Sequence, residues 1–180
     1  MTFDEILRRR RSIRQYEDRP LDRETVNTLL KSALLSPSSR GIRPWEFILV
    51  EDRPTLEALS RVKPHGASFV KGAAAAVVVI ADTTRSDVWV EDTSIASVIL
   101  LLAAESLGLG ACWSQIRKRN FDESTRAGDR VREILAVPDN YDVEAIIAVG
   151  HPAEQKAEYT DADLHAEKLH DGRFGEPYRL

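Results

Sequence analysis

The feature that most constrains the fold is an apolar stretch over residues 73–81, with Val77, Val78, Val79 and Ile80 at its centre. β-Branched residues are enriched in strands because their stiff side chains fit a pleated, packed surface. A strand without alternating polar residues is typical of one that is covered on both faces. The stretch therefore predicts a buried strand.

Helical and strand-like segments are mixed along the rest of the chain. Apolar residues at helical spacing predict helices from about residue 3, after Asp22, and over 55–61, 87–107 and 124–135. Further strands are predicted at 47–50, 111–113 and 143–149. This order, with four or five strands in 180 residues, predicts a single α+β or α/β layered domain.

The composition, with 43% hydrophobic and 30% charged residues, is typical of an ordinary globular protein. The longest apolar run, 95–104, contains Ser97 and is shorter than the ~20 residues of a membrane span, so a buried helix is expected. No signal peptide is expected, because Asp4 and several arginines interrupt the start of the chain. The single cysteine, Cys112, cannot form an internal disulfide and is predicted to be buried, which fits a reducing cytoplasm.

A cluster of arginines near the N-terminus contrasts with the chain's net charge of -4. It comprises Arg8, Arg9, Arg10, Arg11 and Arg14. Cations in the last turn of a short helix need no ligand, because the helix dipole stabilises them, and this explanation suits Arg8 and Arg9. For the residues after them, a bound anion such as phosphate is favoured, and a nucleic-acid patch is a weaker alternative because no second basic cluster follows.

Four segments occur together in the order RRSIRQY (10–16), SPSSRGIRPWEF (36–47), ESLGLGACW (105–113) and AVGHPAE (148–154). This combination resembles the nitroreductase family of FMN-dependent oxidoreductases, over most of the chain. The resemblance implies an α+β sandwich with a central, mostly antiparallel sheet flanked by helices. It also implies an obligate homodimer with FMN at the subunit interface, to which the long helix, about 94–107, would contribute.

The resemblance also implies which residues bind FMN. Arg10, Arg11 and Ser12 would hold the phosphate, and Arg14 would reach the pyrimidine side of the ring. Pro37, Ser38 and Ser39 of the other subunit would lie along the flavin. The strand end at Ala148, Val149 and Gly150 would pass beside the ring. Many members have Asn and Gln where this chain has Gly41 and Arg43, so the ring contacts there would differ, and Arg43 is either a substrate contact or a solvated loop residue.

The tail over residues 151–180 contains five large apolar residues: Tyr159, Leu164, Leu169, Phe174 and Tyr178. These are too many for a purely solvated tail, so packing on this subunit or on a partner is favoured over a disordered terminus. A basic tail residue often completes the phosphate site in the family. Arg173 is the candidate here, with Lys168 as its rival.

The implied activity is transfer of hydride from NADH or NADPH to FMN, followed by electron transfer to a small acceptor in a ping-pong cycle. Nitroaromatics, quinones and free flavins are typical acceptors in the family. Because a flavin carries the chemistry itself, no catalytic residue of the protein and no metal is required. The alternatives are a flavin-handling protein with little turnover and a basic module that binds anions or nucleic acid.

Overall fold

The computed structural model describes residues 1–180 and has one antiparallel sheet of four strands. The strands are β1 (Trp45–Val50), β2 (Ala75–Asp82), β3 (Gly110–Gln115) and β4 (Tyr141–Gly150). They lie side by side in the order β1-β2-β4-β3, so β2 is central and β1 and β3 form the two edges. The mixed fold with an antiparallel sheet agrees with the sequence-based expectation.

Five α-helices accompany the sheet. They are α1 (Phe3–Arg9), α2 (Arg23–Leu34), α3 (Arg53–Leu59), α4 (Trp89–Ser106) and α5 (Ala127–Leu135). The start of α1 is a capping box, in which Thr2 and Glu5 each bond the other's backbone N–H. The predicted N-cap Asp22 accepts a hydrogen bond from the backbone N–H of Thr25 at 2.8 Å. None of the helices combines the length and apolar character that crossing a membrane requires.

Strand β2 is covered on both faces, as its sequence predicts. Val78 packs with α3 and α5, whereas Val77 and Val79 pack with α2 and α4 on the other face. All three valines are fully buried. The sheet is therefore the middle layer of a helix–sheet–helix sandwich, because alternate residues of a strand point to opposite faces.

Helix α4 is buried on one side only within the protomer. Ala96, Leu100 and Ala104 face the sheet and are buried, but Ile95 and Val98 are 43% and 46% exposed. The tail is more exposed still, since every residue of 157–180 is exposed to solvent. The all-round apolar character of α4 is thus not explained by packing within one subunit.

The arginine segment, defined here as residues 10–14, lies along the outer edge of β3. Ser12 pairs with Ala111 in parallel, and the N–H of Ile13 donates to the carbonyl of Ala111 at 3.0 Å. The contact is close enough to exclude a side chain from Gly110, whose added Cβ would lie 2.7 Å from Cγ2 of Ile13. Gly110 therefore sets how near the segment approaches the sheet.

We expect Gly110→Ala to destabilise the protein by about 1–3 kcal/mol, because Ile13 or the segment must move to admit the methyl group. Gly72→Ala is the matched control, since an added Cβ there meets nothing within 4 Å. Denaturant unfolding of both variants measures the difference in free energy of unfolding. Equal stability of the two variants would contradict the close packing described here.

Candidate functional site

The arginine segment is anchored by the residues around it as well as by β3. The hydroxyl of Tyr16 donates to the carbonyl of Ile13 at 2.6 Å, and burial raises the pKa of this phenol. Oε1 of Glu154 accepts from the backbone N–H groups of Arg14 and Gln15, and the bond from Arg14 is the main reason that the pKa of Glu154 is lowered. These bonds fix the backbone from which the arginines project.

The side chains of the segment divide between its two faces. Arg11 and Ile13 line a small cavity of about 140 Å³, called cavity I, together with Lys156. Arg14 lines a separate, larger cavity, called cavity II. Because side chains alternate along an extended strand, Arg10 and Ser12 share the face of Arg14 rather than that of Arg11.

The structure gives each of these arginines a different environment. Arg11 donates to the carbonyl of Ala157, and its guanidinium lies 4.4 Å from the ring centroid of Tyr159, so it is engaged with the tail. Arg8 and Arg9 pair with carboxylates, which is consistent with their interpretation as a charged helix end. Arg10 has no side-chain hydrogen bond or ion pair, and its charge is thus available to a ligand.

Lys156 is the tail cation that lies beside the arginine segment. Its Nζ donates to the carbonyl of Ser12 at 2.5 Å and is 3.7 Å from Oε1 of Glu154. Arg173 and Lys168, which the sequence suggested for this position, lie in the exposed tail and line neither cavity. Lys156 is the first cation after β4, and that proximity to the strand end is the signal that could have identified it.

Cavity II has a volume of about 520 Å³ and is rich in positive charge. Its basic residues are Arg14, Lys63, Arg117, Lys118 and Arg119, and its other walls include Phe69, Trp113 and Gln115. No acidic residue lines it, and none of the five cations belongs to an ion pair. The cavity is therefore suited to an anionic or electron-rich ligand.

Three of these cations come from the loop that follows β3. The N–H groups of Ile116 and Arg117 both donate to the carbonyl of Glu144 at 3.1 Å, and the N–H of Arg119 donates to Ile116 at 3.0 Å. Lys118 has φ 57°, a left-handed conformation that is uncommon for a residue with a side chain. The sequence-based statement that no second basic cluster follows the N-terminal arginines was wrong, because Arg117, Lys118 and Arg119 are adjacent basic residues.

A buried carboxyl, Glu144, lies behind the wall of cavity II. Oε1 of Glu144 is 3.5 Å from Oγ of Ser94 and from Nε2 of Gln115, whereas its buried Oε2 has no partner. Glu144 occupies a β-bulge, since the pairing of β2 and β4 shifts between Val79 and Ile80. Burial raises the pKa of this carboxyl.

The loop at residues 37–43 is held by a second buried acid, Asp92 of α4. Oδ1 of Asp92 accepts from the N–H of Ser39 at 2.7 Å, and the side chain is almost completely buried. Oγ of Ser38 accepts from the N–H of Arg43 at 2.8 Å, while the side chain of Arg43 makes no hydrogen bond or ion pair. The first-turn position of Asp92 suggested no function, yet the residue fixes this loop.

The loop and the arginine segment are not brought together within one protomer. The loop, with Pro37, Ser38, Ser39 and Gly41, precedes edge strand β1, whereas the segment flanks the opposite edge strand, β3. Three inter-strand gaps of about 4.8 Å separate those edges. The loop also joins the end of the sheet opposite to Gly110, because Trp45 pairs with Ala81 while Gly110 pairs with Gly150 at the other end.

The strand end expected beside the flavin lies within the sheet. Ala148 and Val149 are fully buried, and neither lines cavity I or cavity II. Gly150 lies beneath Tyr16, where an added Cβ would be 2.9 Å from Cδ1 of the ring. The corresponding wall of cavity II is formed instead by Trp113 and Gln115 of the neighbouring strand β3. His151 is also turned away, with its Nδ1 2.8 Å from Nη2 of Arg19.

The sequence matches the profile of the Nitroreductase family over residues 7–66 and 56–151. A protein of Archaeoglobus fulgidus named for NADH dehydrogenase/NAD(P)H nitroreductase is 37% identical over 89% of this chain and 92% of its own length. The Bacillus subtilis protein named FMN reductase (NADPH) is 30% identical over 84% of this chain and 66% of its own length.

The fold is also similar to solved structures. A structure named as an FMN-dependent nitroreductase from Clostridium difficile R20291 superimposes with a TM-score of 0.93 and is 46% identical. The match covers 94% of this chain and 98% of the other. Both the arginine segment and the loop at residues 37–43 thus lie within regions that the family shares.

We expect Glu144→Gln to stabilise the protein increasingly as the pH rises. A carboxyl whose pKa is raised by folding contributes most stability below its unfolded pKa, and that contribution is lost as the pH rises through its folded pKa. The neutral amide avoids this loss. Thermal unfolding at pH 4.5 and pH 8 should give a Tm difference between variant and wild type that is about 2–4 °C larger at pH 8.

The control for this pH series is Glu123→Gln, which makes the same carboxyl-to-amide change at an exposed glutamate. It should leave the pH dependence of Tm as in the wild type. A Tm difference for Glu144→Gln that is the same at both pH values would show that the buried carboxyl does not carry the expected penalty.

Proposed function

The chain belongs to the nitroreductase family, and on that premise we propose that it is a homodimeric, FMN-dependent oxidoreductase using NADH or NADPH. The observation that carries this proposal is Arg14 in an acid-free cavity, in one segment with the unpaired Arg10 and with Ser12, which pairs with β3. The names of its relatives, which include FMN and NAD(P)H, support the same cofactors.

The donors around Ser12 fit a phosphate group. Arg10 supplies a guanidinium that has no other partner, and Ser12 supplies a hydroxyl. Charge-assisted hydrogen bonds from such donors are the strong contacts that phosphate oxygens accept. We assign Arg10 and Ser12 to the FMN phosphate and Arg11 to holding the tail; Lys156, which lines cavity I beside Arg11, is the nearest tail cation to Ser12.

Cavity II fits the ring end of the same cofactor. The guanidinium of Arg14 lies 5.8 Å from the ring centroid of Phe69, at a wall that also contains Trp113. When bound, FMN would supply the two-electron chemistry that links NAD(P)H to the acceptor. Arg14 would hold a fixed positive charge in the cavity, where it stabilises the additional negative charge of the reduced state.

A second subunit would complete the site. Since one protomer holds its loop at residues 37–43 far from its own arginine segment, the partner would supply Pro37, Ser38 and Ser39 to this site, with Gly41 and Arg43 beside them. An exposed apolar surface is available for dimerisation, as Phe3, Leu35 and Val98 are 65%, 83% and 46% exposed. Burial of such a surface is typical of a permanent dimer interface.

We propose that residues 1–180 form one FMN-binding domain whose tail, residues 151–180, packs on the partner subunit. Phe174 of the tail is 94% exposed within its own protomer. A groove of about 240 Å³ between α1, α2 and α4 is lined by Ile6, Ile99 and Leu102. A partner's apolar tail residue would cover surface of this kind.

The acceptor would be a small molecule such as a nitroaromatic, a quinone or a flavin, reduced in a ping-pong cycle. Cavity II is the space beside Arg14 that both the reductant and the acceptor would have to use, and this favours binding in turn. A flavin-handling protein with little turnover would have the same cofactor contacts. The two functions differ in whether NAD(P)H reduces the bound flavin.

We expect the purified protein to be yellow with about one FMN per subunit, and to be bleached by NADH or NADPH under anaerobic conditions. Addition of a quinone should restore the colour, and light scattering should give the mass of a dimer. Absence of bound FMN, together with no binding of added FMN, would contradict the proposal. Bound FMN that neither nucleotide reduces would favour the flavin-handling protein.

We expect Arg10→Ala to weaken FMN binding by about 1.5–3 kcal/mol, roughly 10- to 150-fold, because it removes a charge-assisted contact. Titration of apoprotein with FMN, followed by quenching of flavin fluorescence, measures the affinity. Arg8→Ala is the control, since Arg8 pairs with Asp4 and Asp161. Equal affinities for the two variants would remove Arg10 from the phosphate site.

A further inference from the structure

We propose that cavity II recognises an anionic group, a carboxylate or a phosphate, on the substrate that approaches the cofactor. This inference rests on the proposed function and deepens it. The proposed function assigns Arg14 to FMN and gives no role to Lys63, Arg117, Lys118 and Arg119, which line the same cavity. We call these four residues the cationic wall.

No residue of the cationic wall forms an ion pair, although burial raises the pKa of the nearby Glu144 carboxyl and the charge of Arg117 partly offsets that rise. The chain has 29 acidic and 25 Lys and Arg residues, yet none of the four belongs to an ion pair. Nine of the seventeen other arginines pair with nearby carboxylates, as Arg61 does with Glu57 and Arg126 with Asp129. An acidic chain that leaves four clustered cations unpaired favours an external anion as their partner.

Lys63 and Arg117 of the cationic wall are held by side-chain contacts, whereas Lys118 and Arg119 are exposed and only their loop backbone is fixed. Nζ of Lys63 donates to the carbonyl of Gln115 at 2.7 Å, and the guanidinium of Arg117 lies 5.6 Å from the ring centroid of Trp89. The carbonyl of Arg119 accepts from the N–H of Ala127 at 2.9 Å, which fixes the end of the loop. Lys63 and Arg117 are therefore preorganised, and less conformational entropy is lost when these two side chains bind an anion.

Repulsion between the cations of the wall affects the pKa of Lys63. Burial lowers the pKa of Lys63, and the nearby charge of Arg119 lowers it further. A bound anion would relieve this repulsion and return the pKa towards its ordinary range. The cavity also contains the aromatic side chains of Phe69 and Trp113, so its lining combines positive charge with apolar rings. A small aromatic acid fits these walls.

The anionic group could belong to the acceptor, as a carboxylate, or to the reductant, as the 2′-phosphate that distinguishes NADPH from NADH. Both would be bound by the same charge-assisted contacts. Two matched pairs of substrates separate these sources: 4-nitrobenzoate with its neutral methyl ester, and NADPH with NADH.

The test uses the FMN-loaded protein and its variants Arg117→Gln and Arg119→Gln. If the acceptor is the source, the wild type should prefer 4-nitrobenzoate to the ester in KM, and each variant should raise the KM for the acid by about tenfold while leaving the ester unchanged. If the reductant is the source, the same change should appear in KM for NADPH and not for NADH. Either result supports the proposal and identifies which substrate carries the anion.

The matched control is Arg61→Gln, which removes the same charge from an exposed side chain outside the cavity. A second measurement does not depend on turnover: quenching of tryptophan fluorescence should report binding of 4-nitrobenzoate or NADP⁺ to the oxidised protein. Added salt should weaken that binding for the anion that the wall recognises, because salt screens charge interactions.

Two negative results have different meanings. An active enzyme that distinguishes neither pair, and whose wall variants behave like Arg61→Gln, would overturn the anion site and leave the proposed function intact. A protein that binds no FMN would overturn the proposed function and the anion site together.

Discussion

Burial of β2 on both of its faces is the constraint on which the rest of the structure depends. No polar residue alternates with the central valines of β2, so both faces of the strand are apolar. Helices must therefore cover each side of the sheet. The helices that do so are α2 and α4 on one face and α3 and α5 on the other. This packing leaves the two sheet edges, and not its faces, free to build a site.

The edge at β3 shows how the arginine segment is positioned by backbone contact. The arginine segment approaches so closely that Gly110 has no room for a side chain, and Glu154, Tyr16 and Lys156 secure it from the other sides. Its arginines then divide by strand alternation, with Arg11 on one face. Strand β3 continues into the loop that carries Arg117, Lys118 and Arg119 of the cationic wall. The proposed cofactor and substrate sites are therefore both supported by β3.

The parts of the site that sequence analysis anticipated are those marked by unusual local composition. The dense arginine run drew attention to Arg10 and Arg14, which remain proposed cofactor contacts, and the serine-rich loop was recognisable by its pattern. Lys156, Glu144 and the cationic wall were missed because their surroundings come from distant strands. Asp92 was assigned only to a helix start, since nothing in the sequence indicates that it accepts from Ser39. A basic or acidic residue acquires such a role through partners that local sequence does not specify.

The sequence by itself determined the layered fold, most helix starts and the central strand, because apolar periodicity and capping chemistry act over a few neighbouring residues. The tertiary structure alone decided which charges are paired and which remain free. It placed Arg11 against the tail and left Arg10 unpaired, although the two are adjacent in sequence. Electrostatic partners depend on distances across the folded chain, and those distances exist only once the sheet has brought its edges together.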